Sequence, residues 1–397
     1  MNLIQTSAIC FLPVWIAACG ATHGAQSSSL KEAWNPANDP SRFLVDAARF
    51  ADLPREGALS AENYPWSDDY WSTRRGGIAY RWQRSYPYVT GTYKDYRYKA
   101  LTRADFTGDP TALAQIIDTL SPAEKYDLLL GRYEFPLVEA EMMGQQWAVD
   151  SATGDVPGWY GICHGWAPAT LMEPEPGAKA TIQNPDGIAV PFYTSDINAL
   201  MSKVYADYLD TEVRFLGERC NTPTNAIKFD ENGRIILSSC RDSNPGALHL
   251  VLAKLLGGAA PKGFVADIAR DAEVWNQAIT GFRVRESHST NFDPASDPTA
   301  RYRAPGTIVL VAVKADVSYI TEWRPHREPV RPLSQAYTRT QRLEYTLELD
   351  QNGKIIGGEW VSGERPDFIW APTAPPSEHP LLSYGQVRRI LDASRSD

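Results

Sequence analysis

The chain has 397 residues, of which 43% are hydrophobic and 22% are charged, a composition typical of a folded globular protein and not of a disordered one. Its formal net charge is −9, and the sequence contains no run of Lys or Arg, which argues against a nucleic-acid or anionic-membrane partner. The 12 Trp and 19 Tyr are compatible with an aromatic core or with an extended binding surface.

The N-terminus has the pattern of a targeting segment. An apolar run from Ala8 to Ala18 has the length of a signal-peptide core and is too short to span a bilayer. The stretch I-A-A-C that ends at Cys19 is similar to a bacterial lipobox, in which that cysteine is lipidated after cleavage. A plain secretory signal cut after Ala25 is the alternative. The sequence therefore predicts a leader over residues 1–25 and an exported protein, lipid-anchored in the cell envelope through Cys19 or secreted.

Helix and strand signals follow in chain order. Ser121-Pro-Ala-Glu124 is a capping box that predicts the start of a helix. Further helices are predicted over about 195–210 and over A-L-H-L-V-L-A-K-L-L, which Gly257 ends. Beyond residue 305 the pattern changes to strands, two of which flank an Asn352-Gly353 turn. A Pro-rich linker near 371–380 then precedes a short terminal helix. We expect a domain over 30–300 and a β-rich region over 301–397 that packs on the same domain.

Export changes how the cysteines are interpreted. After removal of the leader and its Cys10, and with Cys19 at the new terminus, three cysteines remain in an oxidising compartment: Cys163, Cys220 and Cys240. Cys220 and Cys240 flank a predicted hairpin with an Asn232-Gly233 turn, so we expect them to form a disulfide and Cys163 to be the free thiol. Neither C-x-x-C nor H-E-x-x-H spacing occurs, and the sequence predicts no metal site and no cofactor.

The free thiol lies in the stretch W-Y-G-I-C-H-G-W-A-P-A-T, residues 159–170. Because a helix tolerates proline in its first turn, Pro168 predicts a helix that starts just after Cys163. At such a position the helix dipole and the free N–H groups favour a thiolate and can hold an oxyanion. Cys163 is thus a candidate nucleophile, although a structural cysteine in a turn fits this stretch equally well. Trp159 and Trp166 are candidates for substrate-binding walls or for core residues.

A thiol nucleophile needs a base and a group that orients the base. His249 lies on the apolar helix described above, where it is either a functional base or a buried core residue. His164 directly follows the cysteine, but neighbouring side chains tend to diverge. Asp267 lies in an apolar run and would need a partner if buried. Asp271 and Asn276 are the alternatives for the orienting group.

Several motifs together resemble the transglutaminase elicitor family, bacterial and oomycete proteins related to a plant-defence-eliciting transglutaminase. They are W-Y-G-I-C-H-G-W-A-P-A, C-R-D-S-N-P-G-A-L-H-L-V-L-A-K-L-L-G, F-V-A-D…V-W-N-Q, L-E-L-D-Q-N-G-K-I-I-G-G-E-W and P-D-F-I-W. The resemblance covers most of the mature chain. It implies an α+β fold with a helical, papain- or transglutaminase-like catalytic core and an antiparallel β region toward the C-terminus. It also implies a triad of Cys163, His249 and Asp267.

The resemblance implies acyl transfer from a protein glutamine to a lysine or another amine through a thioester on Cys163. The expected partners are therefore protein substrates, with no nucleic acid and no membrane contact except through a lipid anchor. Three alternatives remain at this point: a papain-like cysteine peptidase or amidase, a nucleophile elbow of the α/β-hydrolase or glutaminase type at Gly161-Ile-Cys-His-Gly165, which has only a weak strand signal before it, and an inactive surface protein whose aromatic groove binds a polymer or protein. The turns D-E-N-G and D-Q-N-G lack the spaced ligands of a calcium loop.

Overall fold

The computed structural model describes residues 36–83, 101–209, 213–231, 235–269, 272–330 and 336–396. The leader with Cys19 and the alternative carboxylate Asp271 lie outside these residues and stay predictions. Within the described ranges, seven α-helices pack against an antiparallel sheet of eight strands, with a separate two-stranded sheet. The α+β class inferred from the sequence is confirmed.

The elements have the following bounds. The helices are α1 (Pro110–Asp118), α2 (Pro122–Leu129), α3 (Pro136–Trp147), α4 (Cys163–Met172), α5 (Thr194–Asp207), α6 (Pro245–Val251) and α7 (Tyr384–Ser394). The strands are β1 (Glu56–Ala58), β2 (Lys179–Gln183), β3 (Ala189–Tyr193), β4 (Val213–Gly217), β5 (Phe264–Asp267), β6 (Asn276–Asn291), β7 (Val309–Ile320), β8 (Thr338–Leu349), β9 (Ile355–Trp360) and β10 (Phe368–Pro372).

The main sheet runs in the order β4-β10-β5-β6-β7-β8-β9, and β1 pairs with β6. The strands predicted beyond residue 305 are present, and β8 and β9 are joined through the predicted turn, where Gly353 has a φ of 74°. Four further strands of this sheet, β1, β4, β5 and β6, come from before residue 300. Because β6 pairs with β7 along most of its length, one sheet carries strands from both sides of residue 300.

The predicted helices are also present. In α2 the Ser121 hydroxyl accepts the Glu124 N–H at 3.2 Å, and the Glu124 carboxylate accepts the Ser121 N–H at 2.9 Å. This reciprocal pair satisfies two backbone donors at the start of the helix. The apolar helix α6 continues as a π-helical turn to Leu256, directly before Gly257. The terminal helix α7 follows the Pro-rich segment.

The sheet separates two cores. Side chains alternate along β5 and β6, so Val265 and Ala278 pack into one core with α4 and α5, while Ala266 and Ile279 pack into the other with α6. We call these two sides the α4 face and the α6 face. A residue on one face is therefore separated from a residue on the other by a layer of paired backbone.

The Cys220–Cys240 disulfide is confirmed, with 4.6 Å between the Cα atoms. Both cysteines are buried, and the Cys220 N–H donates to the Asp367 carboxylate at 2.7 Å. This hydrogen bond joins the segment between the two cysteines to the residue just before β10. Between the cysteines a single antiparallel bridge joins Phe229 and Ile235, and the predicted turn at 232–233 lies outside the described residues. Cys163 is a free cysteine.

In the part of the chain that the structure describes, no helix has both the length and the apolar character needed to cross a membrane.

Candidate active site

The candidate nucleophile lies in the first turn of α4. The helix begins at Cys163 itself, and Ile162 is the N-cap residue, whose N–H donates to the Tyr70 carbonyl at 2.8 Å. The Ile162 carbonyl accepts the N–H groups of Gly165 and Trp166, both at 2.9 Å. Cys163 is therefore fixed by the chain just before it and by the first helical hydrogen bonds.

Pro168 does not lie in the first turn of the helix, so that prediction was wrong. Pro168 is the sixth residue of α4 and lies inside the helix. A proline there removes the hydrogen bond to the carbonyl of His164, but tertiary packing holds the helix against α5. The approach is close, because a Cβ added to Gly165 would lie 2.0 Å from the Ser202 carbonyl oxygen. The helix starts at Cys163 itself, so Pro168 lies beyond its first turn.

Among the residues that the structure describes, Val274 and Asn276 hydrogen-bond the sulfur. The Cys163 thiol donates to the Val274 carbonyl, with Sγ and O separated by 3.6 Å. The Asn276 side-chain Nδ2 lies 3.8 Å from Sγ and donates to it, and the Asn276 backbone N–H is a second donor to the same sulfur. Asn276 is the first residue of β6, so the strand begins with two donors directed at the nucleophile.

Burial controls the charge of this thiol. The residue is 3% exposed, and burial raises the pKa of Cys163 to about 12. The hydrogen bonds from Asn276 lower the pKa, while the carboxylates of Glu322 and Asp267 raise it. The helix N-terminus led us to expect a thiolate. The neutral thiol is favoured instead, because loss of hydration outweighs the helix dipole and the two donors.

Asp267 lies beside this group. It is the last residue of β5, it is directly opposite Asn276 in the strand register, and it is fully buried. Its Oδ1 accepts the N–H of Trp275 at 2.8 Å and the N–H of Ala269 at 3.1 Å. The structure thus brings together three of the predicted residues, Cys163, Asp267 and Asn276, and Asp267 stabilises the backbone next to Asn276.

His249 is not part of this group. It lies on the α6 face, where its Nδ1 hydrogen-bonds the Tyr345 hydroxyl at 2.8 Å and its ring packs 5.5 Å from that of Phe50. It is 1% exposed, and burial lowers its pKa to about 4, so the ring is neutral at neutral pH. No hydrogen bond in the described residues joins it to Cys163 or Asp267. The predicted Cys163–His249 pairing is not formed here, because the apolar helix packs His249 into the opposite core.

The alternative base His164 is exposed. Its charged neighbours are Lys203 and Asp207 near the end of α5, so it lies on the α5 side of α4. In the described part of the chain, no histidine ring hydrogen-bonds the sulfur.

The two predicted tryptophan walls have different environments. Trp166 is 0% exposed and is part of the core, so it does not line a substrate surface. Trp159 is partly exposed, and its ring packs edge-on against Tyr160 with 4.3 Å between centroids. A further aromatic pair that the sequence did not reveal is formed by Tyr70, whose carbonyl accepts the Ile162 N–H, and Trp275, which lies between Val274 and Asn276; their ring centroids are 5.6 Å apart. Trp275 lies in the V-W-N-Q motif, which is the sequence feature that could have identified it as a site residue.

Trp370 was also missed. Its indole Nε1 donates to Asn276 Oδ1 at 2.7 Å, and the ring is 4% exposed. It lies in the P-D-F-I-W motif, more than 200 residues from Cys163 in the chain. Within the described ranges, no three His, Cys, Asp or Glu side chains are grouped so that they could hold a metal ion.

Comparison with known proteins agrees with this architecture. A solved structure that resembles the chain is the crystal structure of the GP42 transglutaminase from Phytophthora sojae, with 25% sequence identity and a TM-score of 0.64. The match covers 92% of this chain and 99% of that chain. No curated protein sequence matches significantly. The family model described as "Transglutaminase elicitor" matches residues 46–396, and the chain therefore belongs to the transglutaminase elicitor family.

Proposed function

We propose that the protein is a Cys163-dependent acyltransferase, a protein-glutamine γ-glutamyltransferase. The observation that carries the proposal is the position of the thiol. In a member of the transglutaminase elicitor family, it lies in the first turn of α4 with both donors of Asn276 directed at the sulfur. A structural cysteine needs no such convergence of donors.

The reaction begins when a glutamine carboxamide displaces the Val274 carbonyl from the thiol. The sulfur then forms a bond to the carboxamide carbon, the C–N bond breaks, and the thiol proton leaves on the departing ammonia. The product is a thioester. A lysine amine attacks the thioester carbon, forms an isopeptide bond and returns a proton to the thiolate. Water in place of the amine gives deamidation.

The oxyanion formed in each step needs preorganised donors. The backbone N–H groups of Cys163 and His164 lie at the positive end of α4, and no acceptor for them is found in the described part of the chain. They support the proposed site as donors to the oxyanion. His249 is left out of the reacting group because the sheet separates it from the sulfur.

The test is incubation with a glutamine-rich protein whose lysines are blocked, together with a labelled primary amine. We expect label to enter the protein and Cys163→Ala to abolish incorporation. Cleavage of the substrate backbone without incorporation would favour the peptidase alternative. Absence of both incorporation and ammonia release would contradict the acyltransferase.

The proposal includes protein substrates outside the cell, because the leader predicts export. The lipid anchor at Cys19 is tested separately. Cys19→Ser should release the protein from the detergent phase or block its processing, whereas an unmodified mature terminus near Gln26 would contradict it.

A further inference from the structure

The side chain of Asn276 lies between two groups of different character. Its Oδ1 accepts a hydrogen bond from Trp370 Nε1 at 2.7 Å, and its Nδ2 lies 3.8 Å from the Cys163 sulfur. Asn276 is 2% exposed and Trp370 is 4% exposed, so water does not compete for either contact. The amide thus has one neighbour at each end.

The indole N–H determines which end of the amide faces the sulfur. An indole nitrogen is a donor only, so it must meet the amide oxygen. If the amide were rotated by half a turn, its NH2 group would face the indole N–H, and its oxygen would face the sulfur. Two donors would then oppose each other in a buried site, which is costly. Trp370 therefore holds the NH2 group toward Cys163.

Trp370 is itself fixed on both sides. It lies on β10, where it pairs with Val265 of β5 on one side and with Phe215 of β4 on the other. Asn276 starts β6, which pairs with the opposite edge of β5. Three neighbouring strands therefore set the distance between the indole and the amide.

We propose that Trp370 is a positioning residue that orients the Asn276 amide as a donor to the Cys163 sulfur. When the proton leaves, the amide donates to the thiolate, and the indole prevents the rotation that would place an oxygen there. The link to turnover rests on the proposed acyltransferase activity. The effect on the thiol itself does not depend on that activity.

The test compares Trp370→Phe with Trp66→Phe. The phenyl ring keeps most of the packing and removes the N–H. Trp66 is a matched control, because it is 2% exposed and its Nε1 donates to the Glu173 carbonyl at 3.1 Å, away from the sulfur. The readout is the rate of Cys163 alkylation by iodoacetamide from pH 7 to 10. We expect Trp370→Phe to alkylate about tenfold more slowly at each pH, as for a thiol whose titration moves up by about one pH unit. Trp66→Phe should match the parent protein.

A double-mutant cycle separates positioning from a general loss of packing. Asn276→Ala removes the amide, so adding Trp370→Phe to it should change the alkylation rate no further. Asn276→Asp places an oxygen opposite the sulfur whichever way it rotates, and should slow alkylation more than Trp370→Phe. Equal rates for Trp370→Phe and the parent, or additive effects in the cycle, would overturn the proposal.

Amine incorporation gives the second arm. We expect Trp370→Phe to lower kcat about tenfold with KM unchanged, because the donor acts on the sulfur and not on substrate binding. If the parent protein incorporates no amine but the alkylation rates in the double-mutant cycle are as expected, the acyltransferase proposal is contradicted and the positioning role of Trp370 is supported. Normal amine incorporation by the parent protein, together with equal alkylation rates for Trp370→Phe and the parent, would support the acyltransferase and contradict the positioning role.

Discussion

The α4 face and the α6 face each bury a titratable side chain that the sequence marks as a candidate for catalysis. On the α4 face, Cys163 lies at a helix start and receives both donors of Asn276. On the α6 face, His249 lies inside a helix and is hydrogen-bonded to one neighbour, the Tyr345 hydroxyl. The difference is one of convergence: several backbone and side-chain groups meet at the thiol, whereas the imidazole has a partner at Nδ1 only and none for its buried Nε2 in the described residues.

The largest effect should come from Cys163→Ala. Alanine cannot form a thioester, so amine incorporation should fall at least about 10³-fold while the fold is kept. The measurement is label incorporation by variants with matched circular dichroism. Retained incorporation would mean that the α4 face is not the reacting side.

The disulfide tests how far the α4 face depends on the segment that Cys220 and Cys240 close. Replacing both with Ser should lower the free energy of unfolding by about 2–4 kcal/mol, through the lost restraint on the unfolded chain. Urea unfolding followed by Trp fluorescence measures this. The Cys220 N–H donates to the Asp367 carboxylate, and the Asp367 N–H donates to the Asp267 carbonyl at 3.0 Å. We therefore expect loss of the disulfide to loosen the site around Asp267 as well. Unchanged stability would show that the disulfide is dispensable.

His249→Gln tests the α6 face. The folded-state pKa of His249 is lowered from the ordinary 6.5 to about 4, so between these values the unfolded chain binds a proton that the folded protein does not. The free energy of unfolding should therefore fall as pH drops from about 6.5 to 4, by up to about 1.4 kcal/mol per pH unit.

The variant should lack that component of the pH dependence and should keep amine incorporation within about threefold of the parent. Unfolding curves across this pH range give the first result, and the labelled-amine assay gives the second. Loss of amine incorporation in a folded His249→Gln protein would show that His249 takes part in the reaction, and would contradict the difference drawn between the two faces.

The smallest effect should come from His164→Ala. The ring is exposed and lies toward α5, so incorporation should stay within about twofold of the parent. A large loss with normal folding would make His164 the base.

Local signals in the sequence predicted local structure well. The capping box at Ser121, the turn at Gly353 and the apolar pattern of α6 each depend on residues close in the chain, and each was confirmed. The disulfide was also predicted and is present, although the Asn232-Gly233 turn from which it was predicted lies outside the described residues. These features need no knowledge of how distant segments pack.

The composition of the site depends on long-range packing, which the sequence does not display. An apolar helix with one histidine indicates burial but not the face of the sheet on which it lies, so the sequence did not show that His249 packs against Tyr345 and Phe50 on the α6 face. Trp166 has the same aromatic character as Trp159 but is part of the core. Pro168 was judged by helix propensity alone, and the packing of α4 on α5 overrides that preference.

The place of β10 in the sheet has a consequence for biosynthesis. β10 lies between β4 and β5, although about 100 residues separate β5 from it in the chain. During synthesis, β4 and β5 therefore have no partner on their facing edges until nearly the whole chain has been made. Trp370 arrives with that last strand, so the thiol region is completed late. A nascent chain or a fragment that ends before residue 368 would contain Cys163 but not the indole that orients Asn276 beside it.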